Sequence, residues 1–298
     1  MKRAEGTRPR TIERYRSIAE RHLLPALGRR RLDKLTPTDV RRLLSAKTSE
    51  GLAATTVRHV HAVLRNVLGD AERQDLVIRN VARSVRPPAH RPVERRSLTL
   101  AEARVLLDTI ADDPLEAMWL CALTGGLRRG EVLGVRWQDV DLDTSVVRIR
   151  QAVQRTDTGV VVTELKTDRS RRTVPIPVRT AAALKTHRAA QAEQRMSCPI
   201  PWPDTDLVFT TSIGTPLEPR NVNRSWYVVR RRAGLDWLRL HDLRHACATF
   251  LIAAGASPRT VMAQLGHSQI ALTMNTYAHV LEEVQREAID RLGDTLFG

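Results

Sequence analysis

The side chains of this chain that could carry out chemistry are cationic or proton-donating groups, together with one tyrosine. They are Arg128, Lys166, His241, Arg244, His267 and Tyr277. Such groups stabilise the negative charge that builds up on a phosphate under attack, and a tyrosine hydroxyl can itself attack phosphorus to form a covalent intermediate. The sequence contains no metal-ligand motif and no nucleotide-binding loop. The set therefore predicts phosphoryl transfer through a covalent tyrosyl intermediate, with no metal and no cofactor.

Arg128 lies at a predicted junction between a glycine turn and a helix. The segment from Leu123 to Glu131 reads Leu-Thr-Gly-Gly-Leu-Arg-Arg-Gly-Glu. A helix N-terminus and an arginine together suit the binding of an oxyanion. The alternative is an ordinary helix cap followed by a solvated arginine, and this segment alone does not decide between the two.

His241 and Arg244 are three residues apart and therefore share one face of a predicted helix. His245 completes a His-x-x-x-His pattern, which raises the alternative of a zinc site. A zinc hydrolase motif would have Glu directly after the first histidine, whereas Asp242 stands there and no third ligand is evident. The zinc interpretation is therefore disfavoured.

The last two candidate residues follow a predicted helix end. Gly266 is predicted to terminate a helix, which leaves His267 at a corner between helices. The chain has only three tyrosines, Tyr15, Tyr227 and Tyr277, so the search for a nucleophile is short. A single tyrosine is more often a packing residue, and its assignment depends on the rest of the set.

The chain begins with a helical N-terminal region, ahead of the segment that carries these residues. Helical periodicity predicts helices over residues 11–24 and 54–72, and Thr36-Pro37-Thr38-Asp39 has the cap, the proline and the acid that start another. The apolar face of the helix over 54–72 is formed by Val57, Val60, Leu64, Val67 and Leu68. A basic stripe on another face, formed by Arg58, His61 and Arg65, could contact DNA phosphate or could simply be solvated.

A stretch rich in proline and arginine, residues 84–97, is the predicted domain boundary. The next region opens with a capping box at Thr99 and Glu102, which starts a helix. Alternating and β-branched residues over 146–150, 159–163 and 173–176 predict a small antiparallel sheet with tight turns. Helical patterns return after Pro219, over residues 219–233, 241–254, 258–265, 269–276 and 280–296.

Positive charge is concentrated in the first third of the chain. The net charge of the 298 residues is +15, and residues 1–97 account for +13 of it, with 23 Lys and Arg against 10 Asp and Glu. Such a surplus favours nucleic acid or an anionic membrane surface as the partner, although a merely solvated surface is the plainer alternative. Since only 4% of the residues are aromatic, binding to single strands by base stacking is disfavoured.

Cysteine usage and the lack of a targeting segment bear on the compartment. Cys121, Cys198 and Cys247 form no CxxC pair, which indicates reduced thiols and a cytoplasmic protein. The N-terminal sequence lacks the apolar segment of a signal peptide. The apolar stretch over residues 117–123 is far shorter than the ~20 residues that span a bilayer, so no membrane partner is expected.

Taken together, the motifs resemble those of the tyrosine recombinases of the phage-integrase type over nearly all of the chain. The Thr-Gly-Gly-Leu-Arg-Arg-Gly-Glu segment, Leu-Lys-Thr, the His-Asp-Leu-Arg-His box, Leu-Gly-His-Ser and the final tyrosine occur in the family's order. The resemblance implies that Arg128 and Arg244 grip the scissile phosphate. It also implies that His241 and His267 hydrogen-bond its oxygens.

The other roles implied by this resemblance concern bond making and bond breaking. Tyr277 would attack phosphorus, and Lys166, on a turn between strands, would protonate the leaving 5′ oxygen. Glu131 matches an acid that orders the pocket. The function expected from the resemblance is that of a site-specific DNA recombinase, an integrase that cleaves and rejoins strands through a 3′-phosphotyrosyl intermediate to integrate or excise a mobile element.

The resemblance implies a mainly α fold. Residues 1–88 would form a helical, SAM-like core-site DNA-binding domain, residues 89–97 a basic linker, and residues 98–298 a larger, mainly helical catalytic domain with a small antiparallel three-stranded sheet. The expected partner is double-stranded DNA carrying core sites, and the DNA-binding candidates are Arg41, Arg42, Arg58, His61 and Arg65. A directionality factor or a host bending factor is a further candidate partner.

An amphipathic C-terminal helix over residues 280–296 would either pack on its own domain or dock onto a neighbouring protomer, and the family precedent favours docking within a homotetramer on DNA.

A chromosome-dimer resolving recombinase and a type IB topoisomerase-like enzyme are alternative functions within the enzyme class. An inactive DNA-binding relative is another, and the complete catalytic set argues against it. Larger integrases carry an arm-binding domain first, and this chain starts too late to hold one, so we expect a short recombinase or a truncated form.

Overall fold

The computed structural model describes residues 9–89, 96–165 and 170–266. The chain divides into two compact units, residues 1–95 and 96–298. The fold is mainly helical, and the second unit contains a small antiparallel three-stranded sheet, so the predicted fold class is confirmed. The predicted helices over residues 269–276 and 280–296 lie outside the described residues. No helix within the described ranges is long and apolar enough to cross a membrane.

The N-terminal unit begins with helical residues that continue past a proline. Helix α1 spans Pro9–Ile18, a π-helical turn spans Ala19–Leu23, and α2 spans Leu24–Leu27. Pro25 has no N–H to contribute to the ladder of helical hydrogen bonds, and the wider π turn ends two residues before it, at Leu23. The helical residues therefore extend to Leu27.

Two longer helices complete the core of this unit. Helix α3 spans Pro37–Ser49, α4 spans Ala54–Glu72, and 3₁₀ turns span Leu32–Lys34 and Val81–Ser84. The predicted cap of α3 is confirmed, because the Thr36 hydroxyl accepts from the Asp39 N–H and the Asp39 carboxylate accepts from the Thr36 N–H. The apolar faces of both helices form the core, with Val40, Leu43, Leu44, Val57, Val60, Leu64 and Leu68. Val67, which the periodicity places on this face, is 46% exposed instead.

His61 corrects one of the sequence predictions. The sequence places it on the basic stripe of α4, whereas its side chain is buried and its Nε2 lies 2.9 Å from the main-chain oxygen of Ala82. Its spacing also fits the apolar face, since His61 lies four residues after Val57 and three before Leu64, and the 3₁₀ turn that contains Ala82 packs over it and accepts its hydrogen bond. The two arginines of the stripe remain exposed.

The second unit is built around one fully buried helix. Within the described ranges its helices are α5 Leu100–Ile110, α6 Glu116–Thr124, α7 Arg129–Leu133, α8 Val178–Ser197, α9 Pro219–Arg232, α10 Asp242–Ala253 and α11 Pro258–Leu265. The capping box of Thr99 and Glu102 starts α5 as predicted. Residues 117–123 of α6 are all buried, and Trp119 packs against Trp226 of α9 with ring centroids 5.3 Å apart.

The sheet and a separate hairpin lie between α7 and α8. Strands β1 Val140–Asp141, β2 Val146–Ile149 and β5 Arg172–Pro175 form the antiparallel sheet in the order β1-β2-β5, while β3 Gln151–Thr156 pairs with β4 Gly159–Glu164. The predicted strand over 159–163 therefore belongs to the hairpin. The two-residue turn between Thr156 and Gly159, which are paired, brings β3 back directly onto β4.

Gly130 in α7 and Gly134, which directly follows this helix, explain how the helix packs against the hairpin. A Cβ atom at Gly130 would lie 2.8 Å from the main-chain oxygen of Val153, and one at Gly134 would lie 2.8 Å from that of Gln151. Because the glycines are four residues apart, both face β3. Their lack of a side chain lets the helix backbone approach the strand closely, and this approach fixes the direction of α7 and of Arg128 at its start.

Candidate active site

Arg128 is the N-cap residue of α7, and one carboxylate holds both its backbone and its side chain. Its main-chain N–H donates to Glu131 Oε2 over 3.0 Å, and its Nη1 donates to Glu131 Oε1 over 2.6 Å. The side chain of Arg128 nevertheless stays 40% exposed. Its guanidinium is therefore oriented by the protein and still open to a ligand, which is the state expected of an anion-binding arginine.

Glu131 is a buried carboxylate between two arginines. It is 3% exposed, and Oε2 accepts a second hydrogen bond, from Arg172 Nη2 over 2.8 Å. Burial by itself would raise the pKa of Glu131, but the hydrogen bond and charge of Arg172, together with the charge of Arg128, outweigh burial and leave the pKa below its ordinary value. Glu131 is therefore ionised at neutral pH, and it neutralises part of the positive charge of the site.

Arg172 is the residue of this site that the sequence predictions missed. It is the first residue of β5, its side chain is 6% exposed, and its Nε donates to the main-chain oxygen of Gln264 over 2.8 Å. A signal was present in the sequence, because side chains alternate along a strand and Arg172 shares a face with the buried Val174. An arginine at an inward-facing position requires a buried partner, and that partner is Glu131.

Arg244 is buried in α10 and reaches two backbone carbonyls. It is 3% exposed, its Nη1 donates to the Gly126 oxygen over 2.6 Å, and its Nη2 donates to the Leu265 oxygen. Burial, followed by the nearby charge of Arg128, lowers the pKa of Arg244 to about 9 against the opposing effect of Glu131. The guanidinium is therefore still protonated at pH 7.

The glycine turn ahead of Arg128 has no room for a side chain. Gly126 has φ of 62°, and a Cβ atom there would lie 2.5 Å from Leu265 Cδ2 and 3.1 Å from Cys247 Sγ. The Cys247 thiol donates to the Thr124 oxygen over 3.3 Å, and burial raises its pKa to about 12. This thiol is therefore un-ionised and acts as a packing group that ties α10 to the end of α6.

His241 is the N-cap residue of α10 and is exposed to solvent. Its ring meets that of His245 edge to face, with centroids 5.3 Å apart. Partial burial, and then the charges of His245 and Arg244, lower the pKa of His241 to about 4. His241 is therefore neutral at pH 7 and can offer a single N–H to an anion. Within residues 9–89, 96–165 and 170–266, no group of three or more His, Cys, Asp and Glu side chains could hold a metal ion.

The structure brings part of the predicted set together. The charge of Arg128 acts on both His241 and Arg244, lowering the pKa of each. Glu131 connects to Arg128 directly. The end of α11, where Gly266 adopts the predicted left-handed conformation with φ of 64°, is tied to the same cluster. The three other predicted residues, Lys166, His267 and Tyr277, lie outside the described residues.

Two sequence families match the chain, each over one part of it. Residues 96–283 match the phage integrase family, and residues 1–47 match the N-terminal SAM-like domain of phage integrases. The chain belongs to the phage integrase family. It is therefore a member of the tyrosine recombinases, which are site-specific DNA strand transferases.

Curated relatives and solved structures of this family resemble the chain over most of its length. It is 31% identical to the integrase of Mycobacterium phage L5, over 98% of this chain and 76% of the relative. It is likewise 31% identical to the putative prophage phiRv2 integrase of Mycobacterium tuberculosis, over 95% and 73% of the two chains. The fold resembles that of the Tn1549 transposon integrase in complex with transposon right end DNA, with a TM-score of 0.81, 21% identity and coverage of 98% and 96%.

A cleft beside the tyrosine recombinase site carries further positive charge. It has a volume of about 720 Å³. Its lining includes Arg129, Asn223, Arg230, Asp236, Arg239 and His241. Arg129 Nη1 donates to Asn223 Oδ1 over 2.9 Å, and the guanidinium of Arg230 lies 4.5 Å from the ring centroid of Tyr227. Three arginines against one aspartate make this cleft suited to an anionic partner.

The integrase-family SAM-like unit carries its exposed arginines on α3 and α4. Arg41, Arg42, Arg58 and Arg65 are exposed. Arg41 donates to Thr38 Oγ1 and Arg42 lies 3.8 Å from Asp39. Arg65 lines a pocket of about 400 Å³ together with Arg73 and Arg83. Four of the five predicted DNA-binding residues are therefore at the surface, and His61 is not.

Proposed function

We propose that this chain is the integrase of a mobile element, which cleaves and rejoins double-stranded DNA through a 3′-phosphotyrosyl intermediate. The observation that carries the proposal is the oriented, 40% exposed guanidinium of Arg128, close to the buried Arg244 and the neutral His241. Relatives of the chain include integrases of a phage and of a prophage, which supports the mobile-element role over chromosome-dimer resolution.

In the proposed reaction the arginines act on the phosphate and on the nucleophile. Free tyrosine has a pKa of about 10, so few tyrosines are ionised at neutral pH. Arg128 and Arg244 spread the charge of the phosphodiester and favour the phenolate of Tyr277 beside it. His241, neutral in the free protein, donates its N–H to a phosphate oxygen, and His267 is proposed to do the same.

Each bond that breaks in this reaction is balanced by one that forms. The Tyr277 hydroxyl loses its proton to solvent as its oxygen forms a bond to phosphorus, the bond from phosphorus to the 5′ oxygen breaks, and Lys166 supplies the proton that the 5′ oxygen takes up. The phosphotyrosine ester conserves the energy of the broken DNA bond. A 5′ hydroxyl of the partner strand then reverses the attack, so strand exchange requires neither ATP nor hydrolysis.

We assign DNA binding to both units of the chain. The SAM-like unit, residues 1–88 in our division, carries most of the net positive charge, and residues 89–97 form a basic linker to the catalytic domain, residues 98–298. Exposed arginines that neutralise phosphate make binding tight at low salt and weak at high salt. The Tn1549 transposon integrase and a lambda integrase dimer bound to a COC′ core site, both with this fold, are complexes with DNA, which supports this assignment.

We further propose a cytoplasmic homotetramer on DNA, linked by exchange of the helix over residues 280–296. In this assembly a protomer's tyrosine is coupled to its neighbour, so cleavage occurs only in the complex. Directionality and host bending factors are proposed partners that would select integration or excision. Size measurement of the protein on a core-site duplex, with and without residues 280–298, tests the assembly: loss of the tetramer in the shortened chain is the expected result.

A nicked suicide substrate tests the strand-transfer proposal. The core site is first taken from the direct repeats that border the element carrying the gene. A nick next to the scissile phosphate lets a short strand diffuse away after cleavage, so that the covalent complex accumulates. We expect a denaturation-resistant complex with the wild-type chain and none with Tyr277→Phe. If the wild-type chain binds the site and forms no covalent complex, it is a DNA-binding protein without strand-transfer activity.

A further inference from the structure

Arg172 makes three hydrogen bonds that join separate parts of the catalytic unit. Its Nη2 donates to Glu131 Oε2 and its Nε to the Gln264 oxygen, each over 2.8 Å, and its Nη1 donates to the Ser170 oxygen over 3.4 Å. Glu131 belongs to α7, Gln264 to the last turn of α11, and Ser170 lies two residues before the start of β5. A planar guanidinium with donors on three nitrogens can serve three acceptors at once, which a lysine ammonium on a flexible stem does not reproduce.

The bond to Glu131 continues to the phosphate-binding arginine. Glu131 Oε2 is shared between Arg172 Nη2 and the main-chain N–H of Arg128, and Oε1 accepts from Arg128 Nη1. Three hydrogen bonds therefore hold the carboxylate of Glu131 between Arg172 and Arg128. Without Arg172, the Glu131 carboxylate, which is 3% exposed, would keep Arg128 as its single arginine partner among the described hydrogen bonds.

A second contact places Arg172 against the end of α11. A Cβ atom at Gly266 would lie 3.0 Å from Arg172 Cδ and 3.1 Å from its Nη1. The arginine therefore packs directly beneath the left-handed turn that ends this helix. Arg244, from α10, binds the neighbouring Leu265 oxygen, so two buried arginines hold this turn.

We propose that Arg172 is a positioning residue for strand transfer: it holds Glu131 in place so that Glu131 can aim Arg128 at the scissile phosphate. The inference rests on the proposed function, in which Arg128 contacts that phosphate. Arg172 itself touches neither DNA nor the nucleophile in this account. Its effect reaches the reaction through Glu131 and Arg128, and this dependence can be measured.

Single-turnover formation of the covalent complex at saturating DNA is the primary test. Arg172→Lys keeps the positive charge beside Glu131 but loses the three-way fork, and we expect it to slow covalent complex formation about tenfold or more. The matched control is Arg171→Lys, because Arg171 is an exposed neighbour that pairs with Glu164 at the surface. The control is expected to change the rate by less than about twofold. Equal rates for the two variants would overturn the inference.

Coupling to Arg128 separates positioning from a merely structural role. In an Arg128→Ala background the guanidinium that Arg172 is meant to aim is gone, so adding Arg172→Lys should change the remaining rate by less than about twofold. A purely structural Arg172 would instead slow both backgrounds by the same factor, which contradicts the proposal. Thermal unfolding and DNA affinity are measured for each variant, and the expected Kd changes are less than about threefold.

Failure of the two proposals gives different results. If the wild-type chain forms no covalent complex on its core site, the proposed function fails. If the wild-type chain forms the complex, and Arg172→Lys matches Arg171→Lys or is additive with Arg128→Ala, only the role of Arg172 fails.

Discussion

Arg244 Nη1 donates a hydrogen bond to the main-chain oxygen of Gly126 over 2.6 Å. This contact fastens α10 to the glycine turn that directly precedes Leu127 and Arg128. The other end of the same guanidinium binds the Leu265 oxygen at the end of α11. Arg244 therefore joins the three backbone segments from which the site is built, in addition to its proposed contact with phosphate.

Arg244→Gln should reduce both stability and activity. The substitution leaves two buried carbonyl oxygens without their donor, which costs about 1–3 kcal/mol each, and it removes a contact to the transition state. We expect covalent complex formation to fall about 100-fold or more. Urea unfolding followed by tryptophan fluorescence reports on the catalytic unit alone, because all five tryptophans lie after residue 96. Arg231→Gln, at an exposed position on α9, is the stability control, and a shared unfolding midpoint would contradict the structural role of Arg244.

Gly126→Ala should destabilise the chain more than alanine at another left-handed glycine. Gly126 and Gly234 have similar φ values, 62° and 68°, but only Gly126 has atoms within reach of an added Cβ. Alanine at Gly234 pays the backbone strain of about 1–2 kcal/mol, whereas alanine at Gly126 adds overpacking of about 1–3 kcal/mol against Leu265. Urea unfolding of the two variants measures the difference. Equal losses would mean that the turn has more room than the structure gives it.

His241 should remain neutral well below its ordinary pKa. Its pKa in the folded chain is about 4, against 6.5 for an unperturbed histidine. As the pH falls from 6.5 towards 4, the unfolded chain takes up a proton that the folded chain does not, so this residue lowers stability in that window. The free energy of unfolding of the wild-type chain should therefore decrease relative to that of His241→Asn between about pH 7 and pH 5. NMR titration of the ring checks the assignment, and a midpoint near 6.5 would contradict the burial and charge described for His241.

Arg65 and His61 should behave oppositely although they lie four residues apart on α4. Arg65 is exposed, so Arg65→Ala should reduce the slope of log affinity against log salt by about 1 without changing stability. His61 is buried and hydrogen-bonded to Ala82, so His61→Ala should cost about 1–3 kcal/mol of stability and leave the slope unchanged. DNA binding at several salt concentrations and urea unfolding measured for both variants decide this. A changed slope for His61→Ala would restore it to the DNA-binding surface.

Local rules predicted some of the helix starts and ends of this fold from the sequence, because caps depend on a few adjacent residues. Thr36 and Thr99 cap their helices as predicted, and Gly266 ends α11 in the left-handed conformation. Helix α8 was not predicted, since only Thr180, Ala181 and Leu184 of its residues are buried and they leave little apolar periodicity.

The partners of the site residues depend on contacts between distant segments, and these are not readable from spacing. Arg172 lies 41 residues from Glu131 and 92 from Gln264, so no local pattern shows that it serves both. His61 was misassigned for a related reason: its spacing fits the basic stripe as well as the buried face, and only the position of the 3₁₀ turn at Val81–Ser84 decides between them. The sequence motifs identified Arg128 and Arg244, and the fold explains what orients them.

The most direct measurement identifies the residue that is joined to DNA. The covalent complex formed on a nicked core site is digested with protease, and mass spectrometry locates the modified tyrosine and the end of the strand it carries. Tyr227→Phe is the matched control for Tyr277→Phe, because Tyr227 is 48% exposed on the cleft beside His241. The account predicts a 3′ phosphate on Tyr277, with adduct formed by Tyr227→Phe and none by Tyr277→Phe. A phosphate on Tyr227, or on any residue other than Tyr277, would contradict it.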